Sequence, residues 1–168
     1  MCKYSVKKYL EERKSQQDKD IKDREGTQPK KYHSGLSKST KEKRDAHFKK
    51  GAEMDDDNPE AYKKAPGDAT AKTKESKYTK KYREKFGEEV EFIVEDPDKA
   101  LKKKSEDSGI SLSILKQVYK RGVAAWRTGH RPGTTPEQWG FARVNSFIVG
   151  GKTRTTADAD LWKKHKGK

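Results

Sequence analysis

Residues 107–150 read DSGISLSILKQVYKRGVAAWRTGHRPGTTPEQWGFARVNSFIVG. No other long stretch is apolar enough to fold around a core, and it holds two of the three Trp. Ser111 starts a helix over 112–128 with Leu115, Val118, Tyr119, Val123 and Trp126 on one face, and Gly129 ends it. Thr135-Pro136-Glu137-Gln138 starts a second helix, with Pro at its first position and Gln138 at capping-box spacing. Trp139, Ala142, Ser146 and Phe147 form its inner face, and Gly150-Gly151 closes it. Between the two helices lies a rigid Gly/Pro loop.

The rest of the chain is much more polar. Of 168 residues, 29% are hydrophobic and 40% charged, far from the near-half apolar share of a globular domain. Such composition predicts disorder where apolar residues are missing. The expected fold is therefore mainly α: a C-terminal domain over 88–163 of three to four helices, with room for one short strand or hairpin. A flexible charged arm with short helices (1–87) precedes it and a basic tail (164–168) follows it. In the arm, residues 5–25 can form a helix, and 26–38 read as linker. Ser39 and Glu42 have capping-box spacing for a helix ending near Gly51, whose body is too polar to bury much. Residues 53–76 read as an extended linker. Tyr78, Tyr82 and Phe86 line one face of a short helix before Gly87. Ser37-Lys38-Ser39-Thr40-Lys41 is echoed by Ser76-Lys77-Tyr78-Thr79-Lys80, too briefly for a repeat architecture. Val90, Phe92 and Val94 alternate with glutamates, a strand signal without a clear partner. Asp96-Pro97 caps a helix to about Lys104, and Ala157–Trp162 supplies a last helical turn.

Charge bears on function. The net charge is +14, and residues 101–168 hold 15 Lys/Arg against 5 Asp/Glu, whereas 1–100 hold 26 against 22. Basic charge concentrated on the foldable part points to a polyanion, with solubilising surface charge as the bland reading. Cys2 is the only cysteine, which excludes an intrachain disulfide and a cysteine-based zinc site. No apolar run has the roughly 18–20 residues of a membrane span, and the N-terminus lacks the apolar core of a signal peptide. These features fit a protein of the cell interior with no membrane partner.

Three constellations could meet nucleic acid. Ser105, Gly109-Ile110-Ser111, Leu115 and Val118 have helix-turn-helix spacing, with Lys116, Lys120 and Arg121 on the outer face. Lys104 and Ser108 stand where that motif wants apolar residues, and a plain helical hairpin has the same marks. The loop 127–135 offers Arg127, His130 and Arg131 beside a helix N-terminus, with Arg143 within reach, a set suited to phosphate. A rigid connector would look the same. Trp126, Trp139 and Phe147 could stack on bases, although core packing explains them better. Catalysis has little support: His130 has no nucleophile pattern near it, and Glu137, Asp158 and Asp160 are the only carboxylates after residue 107. Asp158 and Asp160 do not share a helical face as metal ligands would. His33, His47 and His165 resemble surface histidines scattered among lysines.

Gly109-Ile110-Ser111, Ile114-Leu115-Lys116, the run AAWRTGHRPGTTPEQW over 124–139 and Ala142-Arg143-Val144-Asn145-Ser146-Phe147 resemble a family of uncharacterised proteins of tailed bacteriophages, notably T4-like phages of marine cyanobacteria. Gly35-Leu36-Ser37-Lys38, His47-Phe48-Lys49, Asp56-Asp57-Asn58-Pro59 and Lys77–Lys81 resemble a second segment that often precedes the first. The resemblance covers roughly 34–150. It implies viral origin and expression in a host cell, and it assigns no role to any residue. The expected function is non-enzymatic binding of DNA or RNA through Lys116, Lys120, Arg121, Arg127, His130, Arg131 and Arg143, without metal or cofactor. The alternatives are a structural virion or assembly protein that binds other virion proteins, and a nuclease. The expected location is the host cytoplasm, with the virion as the alternative.

Overall fold

In the computed structural model, residues 18–21, 28–87 and 96–167 are described. The helix expected over 5–25 and the strand over 90–94 fall mostly or wholly outside them. The protein is mainly helical. Among the described residues there are six α-helices, three short 3-10 turns and no strand beyond a single-residue bridge at Pro29. The helices are α1 Lys38–Ala52, α2 Lys77–Phe86, α3 Pro97–Ser108, α4 Leu112–Thr128, α5 Pro136–Ile148 and α6 Ala159–Lys166.

Contacts divide the chain into two compact units, one of residues 1–72 with 128–133, the other of 73–127 with 134–168. Composition places the break after residue 87. The contacts place it before α2, because the apolar face of α2 is needed elsewhere: Tyr82 is buried in the core of the second unit.

That core joins Tyr82, Leu101, Ile110, Leu115, Val118, Phe141, Val144, Phe147 and Leu161, drawn from all the helices of the unit. The expected bounds of α4 and the expected cap of α5 hold. The Thr135 hydroxyl accepts from Gln138 N and the Gln138 side chain accepts from Thr135 N, a reciprocal capping box. α3 runs a turn beyond the expected Lys104. Gly109 then adopts the left-handed conformation, with φ 69°, and its N–H donates to Ser105 O. Lys104, out of place in the motif reading, is buried with its ammonium 3.6 Å from the Tyr82 ring centroid. The last helix starts and ends later than expected. Asp158 precedes it, and its Leu161 is fully buried.

α4 and α5 cross where two glycines face each other. A Cβ on Gly122 would lie 2.7 Å from Gly140 Cα, and a Cβ on Gly140 would lie 2.7 Å from the Tyr119 ring. The backbones can approach this closely only without side chains there. α2 packs on α5, where Asn145 Nδ2 donates to Thr79 Oγ1. Arg154, in the turn Lys152–Thr155, donates to Phe147 O and Ile148 O and so closes the carbonyl end of α5, while its guanidinium lies 3.6 Å from the Trp162 ring centroid.

In the first unit, α1 is capped by Ser37, two residues before the expected Ser39, and the Ser37 hydroxyl accepts from Thr40 N. Its polar sequence still buries one face: Arg44, Phe48 and Gly51, at spacings of four and three. Gly51 lies inside the helix rather than ending it. The stretch expected as an extended linker carries a 3-10 turn, Pro59–Tyr62, and buries Ala61 and Ala65.

Candidate functional site

The first unit is organised around one carboxylate. Pro66 and Gly67 turn the chain so that Asp68 points inward, where its side chain is 4% exposed. Asp68 Oδ1 accepts from Arg44 Nη1 at 2.7 Å and from Gly133 N at 3.0 Å. Asp68 Oδ2 meets His130 Nε2 at 2.7 Å and accepts from Ala65 N at 3.0 Å. Arg44, wholly buried, also donates to Pro66 O at 2.9 Å and to His130 O at 2.6 Å. Burial works to raise the Asp68 carboxyl, but hydrogen bonds from His130 and Arg44 outweigh it and bring its pKa down to about 2. The loop 128–133 does bind an anion, and that anion is a side chain of the same chain.

Phe48 is the apolar centre of this hub. His130, His47 and His33 pack around it, with ring centroids at 5.2, 5.9 and 6.3 Å. His33 is fully buried with no hydrogen-bond partner on either ring nitrogen, and His47 Nε2 is likewise buried without one. Burial, then the Arg44 charge, pushes the His33 pKa below the usual value, and burial does the same for His47. His33 is thus interior and His47 half-buried, both shifted toward the neutral form, a correction to their reading as surface residues. On the rim, Lys41 donates to Asp18 at 3.0 Å and to Asp20 at 2.7 Å.

The second unit has its own carboxylate centre. Arg143 Nε and Nη2 donate to the fully buried Asp158 at 2.8 and 2.9 Å. Arg121 grips Asp160 with two 2.7 Å bonds and also reaches Asp158 at 3.3 Å. The Arg121 hydrogen bond holds the Asp160 carboxyl well below the usual carboxylate range, and Asp160 raises Arg121 in turn. Asp158 and Asp160 therefore meet on a guanidinium. Among the described residues no group of three or more His, Cys, Asp or Glu could hold a metal ion.

The seven residues expected to touch phosphate have different surroundings. Arg121 and Arg143 hold Asp158 and Asp160. Lys116 donates to Asp98 on α3 at 2.7 Å, which ties the supposed recognition helix to its neighbour. His130 is buried against Asp68. Arg127 is half-buried, while Lys120 and Arg131 are exposed; the Arg131 charge acts on the Tyr32 phenol, opposing the larger effect of burial. Lys116, Lys120, Arg121, Arg127 and Arg143 belong to the second unit, His130 and Arg131 to the first. Trp126 and Phe147 are core residues, and the Trp126 indole N–H donates to Thr134 O. Sequence reading missed Asp68, Arg44 and Phe48. The one local signal was Pro66-Gly67-Asp68, a turn composition that says nothing of burial.

The molecule is thus a small helical protein whose buried charges serve its own interior. The chain belongs to a family of unknown function, DUF5824, whose model matches residues 29–163. No curated protein and no solved structure matches it.

Proposed function

We propose that this is a phage protein that binds nucleic acid without a reaction of its own, through exposed lysines of the second unit. One observation carries the reading: Arg83, Arg121 and Arg143 there are engaged by internal carboxylates and Arg154 by backbone carbonyls, while the lysines on two helices face solvent. Lys77, Lys80, Lys81 and Lys85 on α2 and Lys163, Lys164 and Lys166 on α6 are all exposed. Glu75 is held by Arg83 and Asp160 by Arg121, which leaves Glu84 as the one acidic residue within α2 beside its four lysines. Both helices flank the turn Lys152–Thr155: the Tyr78 ring lies against Gly151, and the turn packs on α6. Lysines set as point charges on helix surfaces suit backbone phosphates rather than base edges, so the binding has little sequence preference. Lys120 and Arg131 remain exposed members of the expected set. Phage origin is supported by the motif resemblance alone.

The test is fluorescence anisotropy of the full chain with labelled single- and double-stranded DNA and RNA over a salt series. Log affinity should fall linearly with log salt. Changing the four α2 lysines to Gln should lower the duplex slope by about 0.9 for each lysine that contacts phosphate. Absence of binding at low salt by folded protein would refute the reading. A fixed stoichiometry in purified particles would then favour the structural virion alternative.

A further inference from the structure

The first unit contains a cleft that its internal ion pairs do not fill. It lies between the end of α1 and the segment 60–66, has a volume of about 290 Å³, and is lined by His47, Lys50, Met54, Ala61, Lys64 and Pro66 among others. We propose that this cleft binds a phosphate monoester of mononucleotide size.

Charge supplies the first argument. Three lysines line the cleft, and its one carboxylate, Glu60, is held by Lys63 at 2.7 Å. Lys50 and Lys64 are exposed and flank the opening. The carbonyl end of a helix by itself disfavours an anion. Here two of those carbonyls, Lys50 O and Gly51 O, accept from Glu53 N and Met54 N, so the end of α1 is partly closed. The second argument is His47, whose buried Nε2 has no hydrogen-bond partner. A buried polar atom left unpaired is costly, and a turn of the half-buried imidazole toward the cleft it lines would let that nitrogen pair with a phosphate oxygen. Around His47 stand His130, Arg44, Asp68 and Lys50; burial comes first, then His130 and Arg44, in keeping it neutral. The net positive surroundings favour an arriving anion. The third argument is shape. Met54, Ala61 and Pro66 give one wall an apolar surface for a base, and the volume sits at the small end of ligand pockets, roughly 300 Å³ upward. A cleft of that size suits a single small ligand rather than a length of strand.

The test is NMR of the imidazole signals in the full chain, titrated with a nucleoside 5′-monophosphate, the matching nucleoside and inorganic phosphate. The monophosphate should shift the His47 signals and raise the pH at which they titrate, phosphate should do so more weakly, and the nucleoside should do neither. Lys50→Gln and Lys64→Gln should each weaken binding by about tenfold, the value of one charge-assisted hydrogen bond. Both sites are exposed, so these variants fold. Unmoved His47 signals, equal binding of the nucleoside, or binding that survives both substitutions would overturn the proposal. Short strands with and without a 5′-phosphate identify the source: preference for the phosphorylated strand assigns the cleft to strand ends, and equal behaviour with monophosphate binding retained assigns it to free nucleotides. The readout is His47 rather than strand affinity, so failure here and failure of the α2 and α6 surface are separable.

Discussion

Asp68→Asn is the most informative single change in this protein. It keeps the size of the side chain and removes the charge opposite Arg44, a guanidinium with no exposed surface. The Asn oxygen can still accept from Arg44 and Gly133, but its amide must then face Ala65 N, a donor that now meets a donor. Breaking a buried pair by removing one partner costs about 3–5 kcal/mol, because the remaining charge stays desolvated. That is a large share of the roughly 5–15 kcal/mol that holds a domain together. All three tryptophans lie in the second unit, so their fluorescence does not report this hub. Native-state hydrogen exchange of the α1 amides does. Protection over 44–51 should fall by about 10²–10⁴-fold, each decade being worth about 1.4 kcal/mol. A double-mutant cycle closes the argument. Arg44→Met with Asp68→Ala should recover most of the loss, since an apolar pair leaves no buried charge. Protection within tenfold of wild type in Asp68→Asn would refute the hub, and equal loss in the double variant would refute the charge pairing as its cause.

Acid should unfold the first unit in two stages. His33 and His47 have depressed folded pKa values, so their contribution is complete above about 6.5 and is lost as the pH falls below it; Asp68, held at about 2 against 3.8, contributes above 3.8 and loses that between about 4 and 2. Exchange of α1 amides against pH reads both stages, and flat protection from pH 7 to 5 would contradict the neutral histidines. Gly122→Ala should destabilise the second unit by about 1–3 kcal/mol through the forced contact with α5, measured as a lower urea midpoint of tryptophan fluorescence; an unchanged midpoint would mean that the helices separate freely. Thr135→Ala should cost about 1 kcal/mol by removing the cap of α5, and a loss below a few tenths would show the cap to be redundant.

Local chemistry decided much of the second unit. The stops and starts at Ser111, Gly129, Thr135-Pro136 and Asp96-Pro97 act over a few residues of chain, so the bounds of α4 and the start of α5 could be read directly. The periodicity of Leu115, Val118 and Trp126 likewise named the face of α4 that becomes core, and on α2 it named Tyr82, which is buried, and Phe86, which packs against the core. The helical class and the core role of Trp126 and Phe147 followed from that.

Tertiary structure alone decided where the charges go. Arg44 and Asp68 are 24 residues apart and Asp68 and His130 are 62 apart, and neither spacing nor composition links them. A guanidinium is legible as a charge in the sequence, but whether it faces phosphate or a carboxylate of its own chain depends on which segments fold together. The sequence offered the loop 127–135 and Arg121 and Arg143 as anion binders. The fold supplied anions from within, Asp68 to the loop and Asp158 and Asp160 to the arginines, because a buried guanidinium must be paired. The same physics turned the polar α1 into a packed element: its few apolar atoms and one buried cation suffice once Asp68 and His130 close over them.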